Sequence, residues 1–346
     1  MQKPLTVLIF CLTVLTACAG RGELGIVTSN IPVTHVERIF VATTRQRQTD
    51  AKFDFNGLRT SEVTYARFDV SLPPTHKVGA IEWPKSAPNP ATDFVVTDAQ
   101  VFDTSATFKS KVGAKDEAIV FIHGYNNNFA ESLYRFAQIS ADMELTSTPV
   151  LYAWPSTETS YEYLHDRDSV LFARDGLQTL LEQLASSGVK RLILVAHSIG
   201  ANLLMETLRQ MAIGGDERVR KIIDGVVLIS PDIDPSVFEI QLSRLNPVPS
   251  PFVVFSTEND NALKVMAFLT GRQQRLGQIT RSDQLAKHGV QVVNLSAFTD
   301  GDALNHAVAL TSPSVISILK KTPAARELSK RNNGNPQTIL QRLFKQ

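Results

Sequence analysis

From Val36 onward, short apolar runs alternate with segments rich in turn-forming residues. Arg38–Thr43, Val63–Leu72, Gly79–Trp83 and Phe94–Phe102 are rich in β-branched and aromatic residues and partly alternate, which predicts strands. Pro73-Pro74 and Pro84 stop them. No helix-length pattern separates these runs, so antiparallel pairing is expected, and only a connector is expected between Phe102 and Ala118. Near residue 115 the pattern changes. Ala118–Ile122, Pro149–Ala153, Arg191–Ala196, Gly225–Ile229, Phe252–Phe255 and Val290–Leu295 are mostly continuous apolar runs, as expected of strands covered on both faces. Phe129–Met143 and Val170–Ala185 carry apolar residues at three-and-four spacing, and Gly200–Met211 starts directly after a strand. Strand alternating with helix predicts a parallel sheet with helices on both faces.

Composition narrows the function. The 346 residues are 43% hydrophobic, enough for a sizeable core. Lys and Arg total 35 against 34 Asp and Glu, a balance that argues against nucleic acid as the main partner. Both cysteines, Cys11 and Cys18, lie at the extreme N-terminus, so the body has neither a disulfide framework nor a cysteine metal site. No HExxH or HxxxH pair supports zinc, and the expected chemistry needs no cofactor.

Lys3 followed by an apolar run to Ala17 describes a signal peptide over residues 1–17, too short to span a bilayer comfortably. Leu15-Thr16-Ala17-Cys18 resembles a bacterial lipobox, which implies a lipid on Cys18. Ala19, where Asp would signal retention, implies sorting to the outer membrane. Residues 18–35, small and polar, read as a tether, 36–318 as the folded domain, and 319–346 as a basic, partly disordered tail.

The chemistry centres on Arg191-Leu-Ile-Leu-Val-Ala-His197-Ser198-Ile199-Gly200. A buried strand runs into a serine flanked by small residues, and a helix begins at once. Such a turn lifts the hydroxyl off the sheet, and it needs small residues two before and two after, here Ala196 and Gly200. The free N–H of Ile199 at the helix start is an oxyanion donor. The alternative is a serine that merely caps the helix. The general pattern is GxSxG; Ala196 departs from it as in some bacterial lipases with AHSxG, which this stretch resembles. A general base is expected after the last strand, at His306; His288 precedes that strand and His197 should point away along the elbow. The acid comes between serine and histidine in this fold. Asp260, after the penultimate strand, is preferred, and Asp232 and Asp234 after the strand before it remain open.

His123-Gly124 after the first buried strand is similar to the oxyanion loop of α/β hydrolases, and that likeness implies the N–H of Tyr125 as second donor. More closely, the chain resembles the bacterial α/β-hydrolases of the DUF900 family. The resemblance rests on Phe40-Val-Ala-Thr-Thr-Arg45, His123-Gly-Tyr-Asn-Asn-Asn-Phe129, Trp154-Pro-Ser156, Ala196-His-Ser-Ile-Gly200, Ser230-Pro-Asp232-Ile-Asp234, Asn259-Asp-Asn-Ala-Leu263 and Arg275-Leu-Gly277. It implies an α/β-hydrolase fold with a mostly parallel central sheet, the early strands extending it antiparallel, and a Ser198, Asp260, His306 triad. The loop Ser156–Asp168 is expected over the same edge of the sheet, with Tyr161 and Tyr163, and Trp154 just before it, as pocket candidates; a plain surface loop is the alternative. The expected substrate is a small acyl ester or lipid-like molecule, with the membrane met only through the lipid anchor and the oligomeric state open. A hydrolase-like scaffold without catalysis, and acyl transfer or peptidase activity, are the alternatives.

Overall fold

The computed structural model describes residues 21–27, 33, 35–48, 53–159, 162–215, 217–271, 274–279 and 283–321. Nine strands form one mixed sheet: β1 (His35–Arg47), β2 (Phe55–Leu72), β3 (Val95–Phe102), β4 (Glu117–Ile122), β5 (Thr148–Ala153), β6 (Arg191–His197), β7 (Ile223–Ile229), β8 (Phe252–Ser256) and β9 (Val290–Asn294). Their order is β3-β2-β1-β5-β4-β6-β7-β8-β9. The first three pair antiparallel, and β1 meets β5 in parallel. From β5 to β9 every pairing is parallel. The longer helices are α1 (Ser105–Val112), α2 (Phe129–Asp142), α3 (Tyr163–Ala185), α4 (Ile199–Gly214), α5 (Pro235–Arg244), α6 (Asn261–Leu269) and α7 (Pro313–Lys321).

The apolar runs are continuous because both faces of the sheet are covered. In β4, Ala118, Val120 and Ile122 enter a core shared with α3 and α4, through Leu177, Leu181, Leu204 and Leu208. Ile119 and Phe121 enter a second core on the opposite face, with Leu133 and Phe136 of α2 and Val315 of α7. The α2 start is fixed by a capping box: Asn128 accepts from the Glu131 N–H while Glu131 reaches back to the Asn128 N–H.

Three expectations are corrected. Gly79–Trp83 is not a strand; Gly79 has φ +83° and the Ala80 N–H donates to the Lys77 carbonyl at 2.9 Å, so the segment leaves a turn as irregular chain with Ile81 and Trp83 against the α2-side core. Residues 105–112 are a helix, capped by Thr104 and burying Phe108 and Val112, rather than a bare connector. Helix α3 starts at Tyr163, not Val170, and so takes in the second part of the region read as a loop, from Tyr163 to Asp168.

The segment read as a tether also departs from expectation. Residues 21–27 are packed: the Val96 N–H donates to the Gly25 carbonyl at 2.7 Å, the Gly25 N–H donates to the Tyr134 hydroxyl at 3.0 Å, and Asn128 Nδ2 donates to the Gly22 carbonyl at 2.7 Å. Cys18, the signal peptide and the tail beyond residue 321 lie outside the described residues. Among the described residues, no helix is long and apolar enough to cross a membrane.

Candidate active site

The strand order reverses at β4, whose neighbours are β5 and β6, and the crevice beyond such strand ends is where open α/β sheets place their sites. Registers place the loops there. Ile122 pairs with Ala196, so the segments after β4 and β6 emerge side by side. His197 pairs with Ile229, Ile229 with Phe255, and Ser256 with Asn294, so the segments after β7, β8 and β9 leave the same edge.

Ser198 occupies the sharp turn between β6 and α4 with φ 55° and ψ −128°, a conformation that L-residues hold only when their surroundings impose it. Its N–H donates to the Ile229 carbonyl at 2.9 Å, and its own carbonyl accepts from the Asp232 N–H at 3.1 Å. The side chain makes no capping bond to α4, so this serine does not cap the helix. Two glycines let the chain close around it. A Cβ on Gly200 would lie 2.3 Å from the His123 carbonyl oxygen, and one on Gly124 would lie 3.0 Å from the Ser198 Cβ. Neither the Tyr125 N–H nor the Ile199 N–H donates a hydrogen bond among the described residues. Both donors therefore remain available beside the serine.

His306 Nδ1 is 2.8 Å from Asp260 Oδ2, and the Asp260 side chain is fully buried. The other oxygen, Oδ1, accepts from the Leu263 N–H at 2.8 Å, so Asp260 is also the N-cap of α6. One carboxylate thus fixes a helix start and a histidine ring. Burial alone would push the His306 pKa down; the hydrogen bond and charge of Asp260, helped by Asp232 and Asp302, outweigh it and raise the pKa above its ordinary 6.5. Asp302, which sequence reasoning passed over, accepts from the His306 N–H at 3.0 Å and the Ala307 N–H at 2.7 Å, setting the loop backbone. Ser198 Oγ forms no hydrogen bond with His306 among the described residues. The link between them is His197, whose Nε2 is 3.3 Å from the His306 carbonyl oxygen and whose ring centroid is 4.7 Å from that of His306. His197 therefore faces His306 rather than pointing away, and burial holds it neutral with a pKa well below 6.5.

The other carboxylates do different work. Asp232 is buried, takes a 2.5 Å hydrogen bond from the Tyr163 hydroxyl and pairs with Arg275 at 2.9 Å. Asp234 caps α5 through the Ser236 N–H. Of the three, only Asp260 touches His306. The Tyr163 ring meets Tyr125 edge-on at 5.4 Å, at the side of the oxyanion loop. Trp154 is fully buried: it stacks on His123 at 5.1 Å and donates Nε1 to the His123 carbonyl, so it braces this loop from within the core. Tyr161 lies outside the described residues.

Two arginines hold the loop from either side. Arg45 of β1 is fully buried where β1–β2 pairing slips, and donates Nη2 to the Asn127 carbonyl at 2.6 Å. Arg21 donates to the Asn126 side chain at 2.7 Å and to its carbonyl at 2.9 Å. Arg45 and Arg275 each had a sequence signal, in the Phe40–Arg45 and Arg275–Gly277 segments, which did not reveal their partners; Arg21 had none. Among the described residues no cluster of three or more His, Cys, Asp or Glu is placed to hold a metal.

Comparison with known proteins follows this geometry. The model of the family described as "Alpha/beta hydrolase of unknown function (DUF900)" matches residues 101–322, and the chain belongs to that family. No curated protein matches it. Similar solved structures include lipase B of Aspergillus fumigatus, with 15% identity, TM-score 0.42, and coverage of 68% of this chain and 58% of the lipase. A thermostable esterase from Pseudomonas putida shares 13% identity at TM-score 0.42, covering 88% of this chain and 86% of that one. A hyperthermophilic esterase from Pyrobaculum calidifontis shares 13% at TM-score 0.39, with 87% of each chain covered.

Proposed function

We propose that this protein is a serine hydrolase that cleaves a carboxylic ester or related acyl bond. The observation that carries the reading is the 2.8 Å contact between His306 Nδ1 and buried Asp260, at the sheet edge where Ser198 is held in a strained turn. His306 takes the hydroxyl proton as Ser198 Oγ bonds to the acyl carbon. The N–H groups of Ile199 and Tyr125 receive the oxyanion. As the tetrahedral intermediate collapses, the leaving alcohol departs with the proton from His306, and an acyl-enzyme remains. Water, deprotonated by His306, then releases the acid. Asp260 keeps the Nδ1 proton in place and stabilises the imidazolium. Ser198 and His306 close to hydrogen-bond distance when substrate binds, as catalytic contacts that are long in free enzymes often do.

A fluorophosphonate probe should label wild-type protein and spare Ser198→Ala. Hydrolysis of p-nitrophenyl esters of increasing chain length should fall by about 10⁴–10⁶ in that variant. Full activity in Ser198→Ala would overturn the reading, and a wild type that neither labels nor hydrolyses would favour a scaffold. We further propose a lipid on Cys18, on the sequence signature alone; metabolic palmitate labelling should vanish in Cys18→Ser. Arg21 is already packed, so the anchor would hold the domain within about 10 Å of the membrane at the reach of an extended chain.

A further inference from the structure

One large cavity lies behind the oxyanion loop rather than over Ser198. About 710 Å³ open between residues 21–25, the turns at 81–88 and the first half of α2, with Asn127 in the wall. That is a small-molecule volume. Leu24, Ile81 and Trp83 give it an apolar side. Its charges are unevenly compensated. Arg21 is paired with Glu131 at 2.6 Å, while Glu23 is exposed at the rim.

Arg135 is different. Its Nη1 donates to two neutral acceptors, the Gly79 carbonyl at 3.1 Å and Gln138 Oε1 at 2.6 Å. Among the described residues, no ion pair forms at Arg135 or at Lys85, which lines the same cavity. The carboxylates that act on Arg135 from a distance are committed elsewhere. Asp142 takes hydrogen bonds from His76, the Gly79 N–H and Gln138, and Asp302 holds the His306 loop. Burial lowers the Arg135 pKa to about 10, which leaves it cationic at neutral pH. A half-buried guanidinium satisfied only by neutral groups gains more from an incoming anion than a fully exposed one does.

We propose that this cavity binds an anionic amphiphile, its phosphate or carboxylate on Arg135 and Lys85 and its apolar body on Trp83, Ile81 and Leu24. The site is independent of the hydrolase reading, since it uses none of Ser198, Asp260 or His306. The same chemistry arrives either dissolved or from a bilayer.

Dodecyl phosphate is the probe, read by tryptophan fluorescence. Trp83 lines the cavity and the second tryptophan, Trp154, is fully buried. A saturable change should appear in wild-type protein and equally in Ser198→Ala, and disappear in Trp83→Phe. Arg135→Gln and Lys85→Gln should each weaken binding about tenfold, the loss expected for one charge-assisted hydrogen bond. Lys85 is exposed, so its variant decides the matter if Arg135→Gln fails to fold. Phosphatidylcholine vesicles carrying phosphatidic acid compete if the ligand comes from the bilayer, and fail to compete if it comes from solution; either supports the site. No saturable change, affinity untouched by both cation substitutions, or inorganic phosphate binding as tightly as the amphiphile would overturn it. Loss of ester hydrolysis alone would leave this result standing.

Discussion

Asp260 shows how much one side chain can decide. Its two oxygens face two clients, the Leu263 N–H and the His306 ring. Asp260→Asn should cut kcat by about 10³–10⁴, because the amide no longer holds the imidazole in its working tautomer or stabilises its cation. The pH profile adds a sign. In the proposed mechanism His306 works as a base when neutral, and its pKa is raised above 6.5, so the acid limb of kcat/KM should lie above pH 6.5 in wild-type protein. Removing the Asp260 charge should move that limb down. A limb that stays in place would mean that Asp260 does not set the histidine. Asp232 makes the comparison: it acts on His306 only from a distance and its side chain is paired with Arg275 and Tyr163, so its removal should move the limb less than removal of Asp260. The sequence favoured Asp260 by its place after the penultimate strand but kept Asp232 and Asp234 as alternatives, because which carboxylate reaches the His306 loop depends on how that loop folds back. Here the Asn261 N–H donates to the Leu304 carbonyl at 2.9 Å and so clasps the two loops together.

At the scale of elements, the packing of β6, the elbow and α4 against the β4 loop limits what the helix start can hold. Gly200→Ala would set a methyl group 2.3 Å from the His123 carbonyl, so the backbone must move. The expected cost is about 2–4 kcal/mol in chemical denaturation, with esterase activity falling as the elbow separates from the loop. Gly214→Ala, at the exposed end of the same helix, meets nothing within 4 Å and should be neutral or stabilise by up to about 1 kcal/mol. Equal losses in both variants would refute the steric account. The elements themselves were largely legible: every continuous apolar run after residue 115 became a parallel strand, because burial on two faces leaves an unmistakable pattern. What pattern reading missed was local. Ser105–Val112 buries only Phe108 and Val112, too few for a visible helical stripe, and the first turn of α3 is polar apart from Tyr163 and Leu164. Gly79–Trp83 has strand composition, but its path is fixed by the positive φ of Gly79 and a turn bond from Ala80 to Lys77 rather than by side-chain alternation.

Over the whole molecule, buried histidines tie stability to pH. His123 is held neutral, with its pKa lowered to about 3 by burial and then by the Arg45 charge, and His197 is depressed in the same direction. In the unfolded chain both titrate near 6.5. Below that pH the unfolded state binds protons that the folded state refuses. The stability they give is complete above pH 6.5 and is lost as pH falls, by up to about 1.4 kcal/mol per unit for each group. His306 has the opposite sign: its raised pKa stabilises the fold below 6.5 and that share is lost as pH rises through the folded value. Calorimetric unfolding near pH 5 in two buffers of different ionisation enthalpy should show net proton uptake. Net release would contradict the neutral burial of His123 and His197.

Arg21, near one end of the described chain, holds the loop that carries Tyr125, and His306, near the other, is the partner Ser198 awaits. If the proposed pairing holds, a polypeptide still emerging from the ribosome, or cut short by a premature stop, carries its serine without its base. On the proposed mechanism, the reactive centre is complete only once the segment that carries His306 has been made.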